Sequence, residues 1–353
     1  MSQLFEVKEI DRKFYAERVL DFLPERIIDI HTHVWLERFR SAAMTAPRRT
    51  VTWPSRVASS NSIEDHLESY RLLFPGKHVL PMIFGNAVDP VDDIEAGNAY
   101  IRRCAAEYSL PALLFATPRW SSAELEERVL AGGFLGVKVY LSLAEPYIPA
   151  AEIRIFDFLP PHQLEVLDRH GWIVMLHLPR PKRLRDPVNL AQMLQIEERY
   201  PNVKVIIAHV GRAYCPEDVG NAFEVLRRTR RMRFDISANT NAWVFERLIE
   251  AVGPKRILFG SDLPIVRMRM RRICESGTYI NLVPRGLYGD VSGDPNMREV
   301  DGEEAERLSF FMYEEIDAFR SAAEVTGLTR EEVGDIFWGN GARLLREVGF
   351  EVA

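Results

Sequence analysis

Short, almost continuously apolar segments recur along the chain and alternate with longer amphipathic ones. Eight of them cover residues 26–31, 78–84, 112–116, 134–140, 172–177, 203–208, 232–237 and 256–260. Strands of a parallel sheet have this pattern because both of their faces are buried. Helix-start signals lie between them, including the capping box that begins at Ser121 and the pair Asp186 and Pro187. The pattern predicts an α/β fold, a (β/α)8 TIM barrel. An open doubly wound sheet is the alternative, weakened because no G-x-G-x-x-G sequence follows a strand.

Four further regions lie outside the eight repeats. Residues 1–24 predict an amphipathic helix on the outside of the barrel, and residues 301–348 predict C-terminal helices. Residues 35–77 predict a long insertion after strand 1, a loop followed by a helix from about Ile63. Residues 264–300 predict a long, arginine-rich loop after strand 8. We expect one domain over residues 1–353, with the barrel at about 25–348 and both long loop insertions on the face where barrel active sites form.

Composition and charge narrow the class of protein. The hydrophobic share of 47% and the charged share of 27% are those of a soluble globular protein. The net charge of −6 disfavours nucleic-acid binding, no apolar run reaches the roughly 18 residues of a membrane span, and the N-terminus lacks the pattern of a signal peptide. Cys104, Cys215 and Cys274 are widely separated, which predicts a reducing compartment and no disulfide framework. We expect a cytoplasmic protein without nucleic-acid or membrane partners, and the sequence leaves open whether it forms a homo-oligomer.

Histidine and aspartate side chains follow several of the predicted strands. His31 and His33 end the first strand, and residues two apart in a strand share a face. His177 follows the fifth strand, His209 the sixth and Asp262 the eighth. Barrel enzymes place their catalytic groups at these carboxyl ends. Three histidines and one aspartate form an N3O ligand set that suits Zn²⁺, or Mn²⁺, Fe²⁺ or Ni²⁺.

The motifs around these residues resemble those of the amidohydrolase superfamily. The resemblance rests on Asp29-Ile30-His31-Thr32-His33, Leu176-His177, Ile207-Ala208-His209-Val210-Gly211 and Leu258-Phe259-Gly260-Ser261-Asp262-Leu263-Pro264. The C-terminal Phe337-Trp338-Gly339-Asn340-Gly341-Ala342-Arg343-Leu344-Leu345 is similar to the amidohydrolase-related branch, which includes aminocarboxymuconate-semialdehyde decarboxylase, resorcylate-type decarboxylases and lactonases. The resemblance spans about residues 25–348 and does not account for the two insertions.

This resemblance implies a metal site and a role for each of its residues. His31, His33, His177 and Asp262 would bind one divalent metal ion, with Zn²⁺ expected. His209 would polarise the substrate or move a proton, and Asp262 would also take the proton from metal-activated water. The implied function is a metal-dependent hydrolase of an ester, lactone or amide bond in a small, carboxylate-bearing substrate. A metal-dependent non-oxidative decarboxylase of a small aromatic or muconate-like acid is the alternative, and a non-catalytic ligand-binding barrel is disfavoured by the intact ligand set.

Several charged residues near the strand ends are candidates for substrate binding. Lys138 alternates with Val137 and Val139, which places it inside the barrel. Binuclear members of the superfamily carboxylate a strand-4 lysine to bridge two metals, but a substrate-facing or ion-paired Lys138 fits the resembled branch better. Arg180 and Arg212 are the best candidates to bind a substrate carboxylate, since they follow metal-ligand strands. Salt bridges are the alternative for every rim arginine, including Arg267, Arg269, Arg271 and Arg272. Alternation also places Asp29 inside the barrel, where a core hydrogen bond is expected.

Overall fold

The computed structural model describes residues 4–41, 49–86 and 92–352. Within this part of the chain, eight strands stand at the places that the apolar segments predict. They are β1 Arg26–His33, β2 His78–Phe84, β3 Leu114–Phe115, β4 Gly136–Val139, β5 Ile173–Leu176, β6 Lys204–Ile207, β7 Arg233–Asp235 and β8 Ile257–Leu258. β1 and β2 pair in parallel, and β3 to β8 form a six-stranded parallel sheet in chain order.

Backbone hydrogen bonds join these two sheets into a closed ring. Ile30 N donates to Phe259 O at 3.0 Å, which connects β1 to the segment that follows β8. On the other side, Leu113 N donates to Ile83 O at 3.0 Å, which connects β2 to the segment before β3. The open doubly wound alternative would leave two sheet edges unpaired, so the ring identifies the α/β fold as a barrel.

Helices surround the barrel, and their starts confirm the capping signals. Ser121 Oγ accepts from Glu124 N at 3.3 Å, and Asp186 Oδ1 accepts from Val188 N at 2.9 Å. The helices of the described chain are Glu9–Phe14, Pro54–Val57, Ile63–Leu73, Ile94–Tyr108, Ser122–Gly132, Pro161–His170, Pro187–Arg199, the kinked turn His209–Arg212, Ala222–Leu226, Ala242–Val252, Gly302–Glu306, Phe311–Thr326, Arg330–Gly334 and Asn340–Glu347. The predicted insertion helix begins at Ile63 as expected, whereas part of the predicted loop before it, residues 42–48, lies outside the described residues.

Strand alternation divides the core into two layers. Val174 and Leu176 pack outward among the helices, while Ile173 and Met175 pack in a separate inner cluster. The C-terminal helix Asn340–Glu347 adds Leu344 and Leu345 to that inner cluster, along with Ile28 and Ile30 of β1. Because apolar side chains fill the inside of the barrel, the polar side chains that point inward are concentrated at the carboxyl ends of the strands.

The second insertion is a small sheet, so the prediction of a long loop at 264–300 was wrong. It contains β9 Arg269–Glu275, β10 Thr278–Pro284 and β11 Met297–Val300, and β12 Ser309–Phe310 completes the order β11-β10-β9-β12. β9 and β10 form a hairpin around the two-residue turn Ser276 and Gly277, both with positive φ. Turns of this kind match the twist of paired strands, so this dipeptide was a readable signal.

A bulge in β1 corrects the predicted direction of Asp29. The register with β2 shifts between Asp29 and Thr32, which reverses the facing of the residues after the bulge. Asp29 therefore does not share the face of His31. Its carboxylate accepts from Tyr70, on the helix Ile63–Leu73, at 2.7 Å, so the expected buried hydrogen bond forms with an outer helix.

A disulfide corrects the expectation drawn from the cysteines. Cys215, in the loop after β6, is bonded to Cys274 of β9, with 5.8 Å between their Cα atoms. Sequence spacing gave no sign of this pair because 59 positions separate them. Cys104 is free and buried. In the described part of the chain, no helix is both long and apolar enough to cross a membrane.

Candidate metal centre at the mouth of the barrel

Three side chains from two neighbouring strand ends converge at the mouth of the barrel. Nε2 of His31 lies 3.5 Å from Oδ1 of Asp262, and Nε2 of His33 lies 3.2 Å from the same oxygen. The histidines come from β1 and the aspartate follows β8, so the hydrogen bonds that close the ring also assemble this group. Asp262 N donates to His31 O at 2.8 Å, which fixes the two segments side by side.

The outer ring nitrogens of both histidines are already occupied. Nδ1 of His31 is 2.9 Å from Oδ2 of Asp235, and Nδ1 of His33 is 2.9 Å from the carbonyl of Gly85. Both partners are acceptors, so each Nδ1 carries the proton and each Nε2 presents a lone pair. Two lone pairs and a carboxylate oxygen therefore face one another within 4.8 Å, an arrangement that a cation between them stabilises.

Asp235 lies at this site but was not among the candidates identified from the sequence. It ends β7 and is fully buried, and its second oxygen accepts from His209 N at 2.7 Å and from Ser237 N at 3.2 Å. The carboxylate thus orients one histidine through its ring and another through its backbone. A signal was available, since Asp235 lies near the carboxyl end of the predicted strand at 232–237. His31, His209 and Asp235 form a second group whose ligand atoms could hold a metal ion.

His209 stands at the start of a strained turn. Positive φ values continue from His209 through Val210 and Gly211 to Arg212, although a left-handed backbone is unfavourable for L-residues other than glycine. Strain of this kind is typical of sites where the fold fixes a side chain for function. Nε2 of His209 lies 4.0 Å from Oδ2 of Asp262, and Ser237 Oγ lies 2.9 Å from Nδ1.

His177 follows β5 and lies beside His209, with 5.3 Å between their ring centroids. It is not in either of the two groups whose ligand atoms lie within 4.8 Å of one another. Its Nδ1 is buried and has no hydrogen-bond partner among the described residues. An unpaired buried nitrogen is costly, and a metal ion or a ligand is one way to satisfy it.

Electrostatics at the centre favour neutral imidazoles and an ionised carboxylate. Burial lowers the pKa of His31 and of His177 well below the usual value, with contributions from Lys138 and Arg212 respectively. Burial alone would raise the pKa of Asp262, but a hydrogen bond from His33 and the positive charge that His209, His31 and His33 carry when protonated lower it to about 2. Metal ions bind neutral histidine and ionised carboxylate, so the donor set fits a divalent cation at neutral pH.

Lys138 lies inside the barrel, as its alternation predicts. Its Nζ is 3.4 Å from Nε2 of His31 and 5.2 Å from the centre of the Phe84 ring. Burial lowers the pKa of its ammonium group to about 8, while the charges of Asp262 and Asp235 oppose that shift. Lys138 therefore presents an amino group close to the metal centre.

A cavity of about 290 Å³ opens onto these groups. Five of the predicted site residues line it, namely His31, His33, Lys138, His209 and Asp262. Its wall also includes the aromatic rings of Trp35, Phe115 and Tyr140. His177, Arg180 and Arg212 are not among the described residues that line it.

The arginines near the rim are engaged within the protein. Arg180 pairs with Asp186 at 3.0 Å, and Arg212 donates to Leu178 O at 3.1 Å. The arginines of the second insertion have other partners: Arg267 donates to Asn61, Arg269 pairs with Asp11, Arg271 with Glu314, and Arg272 donates to Ala238 O and to Asn281. For these arginines the structure shows intramolecular contacts.

The chain matches one protein family and shares its fold with several solved structures. A family model described as Amidohydrolase matches residues 28–272. No curated protein gives a significant match. Among solved structures, the chain is similar to a dihydroxybenzoic acid decarboxylase from Polaromonas sp. with bound manganese and 2-nitroresorcinol (16% identity, TM-score 0.53, 92% of this chain and 97% of that chain covered).

Two further solved structures share the fold at similarly low sequence identity. One is a 4-oxalomesaconate hydratase from Rhodopseudomonas palustris (17% identity, TM-score 0.52, 91% and 96% covered). The other is a probable 2-pyrone-4,6-dicarboxylic acid hydrolase from Acinetobacter baumannii with citric acid bound (17% identity, TM-score 0.50, 91% and 99% covered). At these identities the likeness concerns the α/β barrel fold alone.

Proposed function

Because the chain belongs to the amidohydrolase family, we propose that it is a metal-dependent hydrolase of an ester, lactone or amide bond in a small, carboxylate-bearing substrate. The observation that carries this proposal is the position of the Asp262 carboxylate, which lines the cavity and lies within 3.5 Å of Nε2 of both His31 and His33. A carboxylate with these neighbours suits both metal binding and proton transfer.

One divalent cation would be held by His31, His33, His177 and Asp262. Zn²⁺ suits this N3O set, and Mn²⁺, Fe²⁺ and Ni²⁺ suit it as well. When bound, such a cation lowers the pKa of a coordinated water and so makes a nucleophile available at neutral pH. We propose no second metal, and we assign Lys138, which lines the cavity, to substrate binding rather than to a carboxylated bridge between two metals.

Asp262 and His209 would divide the proton transfers between them. Asp262 is ionised at neutral pH and can take the proton of the attacking water, then deliver it to the leaving group. Ser237 Oγ donates to Asp235 and therefore accepts from Nδ1 of His209, which leaves a lone pair on Nε2. Through that lone pair His209 can take the same proton from Asp262, whose Oδ2 lies 4.0 Å from Nε2, and pass it to the leaving group.

Non-oxidative decarboxylation of a small aromatic acid is the second candidate. The rings of Trp35, Phe115 and Tyr140 in the cavity wall support it, since they suit a planar substrate. The same ligands would orient the carboxylate, and Asp262 or His209 would protonate the carbon from which it leaves.

A substrate panel with metal-repleted protein separates the candidates. Lactones and simple esters are scored by acid release, while hydroxybenzoates and muconate-like acids are scored by CO2 release. We expect acid release that depends on added Zn²⁺ or Mn²⁺. Release of CO2 from an aromatic acid without turnover of any lactone or ester would overturn the hydrolase proposal. Failure of the repleted protein to retain metal would overturn both enzymatic candidates in favour of a non-catalytic barrel.

A further inference from the structure

The cavity at the metal centre is also lined by the first insertion. Arg40, Ser41 and Arg49 belong to this lining, beside the histidines and Asp262 of the barrel. The arginines that the sequence favoured for substrate binding, Arg180 and Arg212, have partners elsewhere. Two different arginines therefore face the space that a substrate would fill.

The two arginines that line the cavity differ in their hydrogen bonds. Arg49 donates to three loop carbonyls, those of Ala144, Glu145 and Ile148, at 2.6 to 2.8 Å. This bonding holds the loop after β4 in place and occupies the guanidinium. By contrast, Nε of Arg40 is buried and has no hydrogen-bond partner in the described part of the chain.

The surroundings of Arg40 hold its guanidinium in position. Arg40 follows the short 3₁₀ turn Glu37–Phe39, and its Cζ lies 5.2 Å from the centre of the Trp35 ring. That ring is itself fixed, since Trp35 Nε1 donates to Ser59 O at 3.0 Å. Burial lowers the pKa of Arg40, and the charges of Asp92 and Glu37 oppose this shift. The side chain thus remains a cation beside a fixed aromatic face.

We propose that Arg40 binds a carboxylate of the substrate, set apart from the group that reacts at the metal centre. A buried guanidinium nitrogen without a partner is unfavourable, and a carboxylate satisfies such a group with paired, charge-assisted hydrogen bonds. The preferred substrates are then small acids with a second functional group that reaches the metal centre. The identity of the reacting group rests on the proposed function, whereas the binding of a carboxylate by Arg40 does not. Arg40 is then a residue that determines substrate specificity.

Two probes that differ only in the charge of one substituent test this role. Benzene-1,3-dicarboxylate has two carboxylates, whereas 3-carbamoylbenzoate replaces one of them with a neutral amide of similar shape. Calorimetric binding to the metal-repleted protein gives a preference ratio for each variant. We expect the unaltered chain to bind the dicarboxylate ~10-fold more tightly, in keeping with hydrogen bonds to a charged group.

Three variants complete the test. Arg40→Gln should reduce the ratio to near one, and Arg40→Lys should keep part of it because the charge remains without the planar fork. Arg38→Gln is the matched control: it removes the same charge two positions away from an exposed side chain outside the cavity lining, and it should keep the full ratio.

The proposal is overturned if the unaltered chain shows no preference, or if Arg40→Gln retains it. Its failure is distinguishable from failure of the proposed function, because binding is measured without turnover. An Arg40-dependent preference in protein that retains no metal would contradict the hydrolase and support the carboxylate site.

Discussion

Replacement of Asp235 by asparagine tests the orientation of the metal centre most directly. In the structure, one oxygen of Asp235 accepts from His31 Nδ1 at 2.9 Å and the other from His209 N at 2.7 Å. Asparagine can keep only one of these acceptors. If its oxygen stays with the His209 backbone, its amide group faces His31 and forces the proton of that ring onto Nε2, where the lone pair is needed.

The expected loss of metal affinity can be estimated from the known role of carboxylates that orient metal-ligating histidines. Loss of a carboxylate that orients a ligating histidine lowers metal affinity by about 10- to 100-fold, which corresponds to about 1.4 to 2.8 kcal/mol. We expect Asp235→Asn to fall in this range because its carboxylate is fully buried and no solvent can replace it.

Competition of the protein with a chromophoric chelator for Zn²⁺ and for Mn²⁺ measures this affinity. Asp29→Asn is the matched control, since Asp29 is equally buried but contacts His31 only through its backbone N–H. The control should change the affinity less than about threefold. Thermal unfolding in the presence of a chelator checks that both variants fold. Unchanged metal affinity in a folded Asp235→Asn variant would refute the reasoning.

Three further variants test other parts of the structure. His177→Ala should abolish metal retention and activity together, as measured by elemental analysis and turnover, and wild-type activity in this variant would exclude His177 as a ligand. Gly260→Ala should weaken metal binding and lower the melting temperature, because an added Cβ would stand 2.8 Å from Cβ of His31; an unchanged melting curve and affinity would contradict this close approach. Cys274→Ser should cost up to about 4 kcal/mol of unfolding free energy, given the 59-residue separation from Cys215, and peptide mapping without reductant should find the two cysteines joined only in the unaltered chain.

The positions of the strands and of the polar residues at their ends could be predicted because both follow from local patterns in the sequence. Apolar runs located all eight barrel strands, and the positions at their ends identified four of the polar residues that line the cavity, namely His31, His33, His209 and Asp262. Alternation along a strand is a backbone property, so it placed Lys138 inside the barrel correctly. The same rule failed for Asp29, because a bulge in β1 depends on how that strand pairs with its neighbour.

The sequence by itself therefore determined the barrel pattern and the residue types at its mouth. Tertiary structure decided the contacts that join distant segments: Asp235 with His31, Cys215 with Cys274, and Arg269 with Asp11. It also decided which arginines line the cavity, since Arg180 pairs with Asp186 whereas Arg49 and the half-buried Arg40, beside Trp35, belong to the lining. The physical reason is that periodicity fixes the direction of a side chain, whereas its partners depend on the packing of elements far apart in the chain.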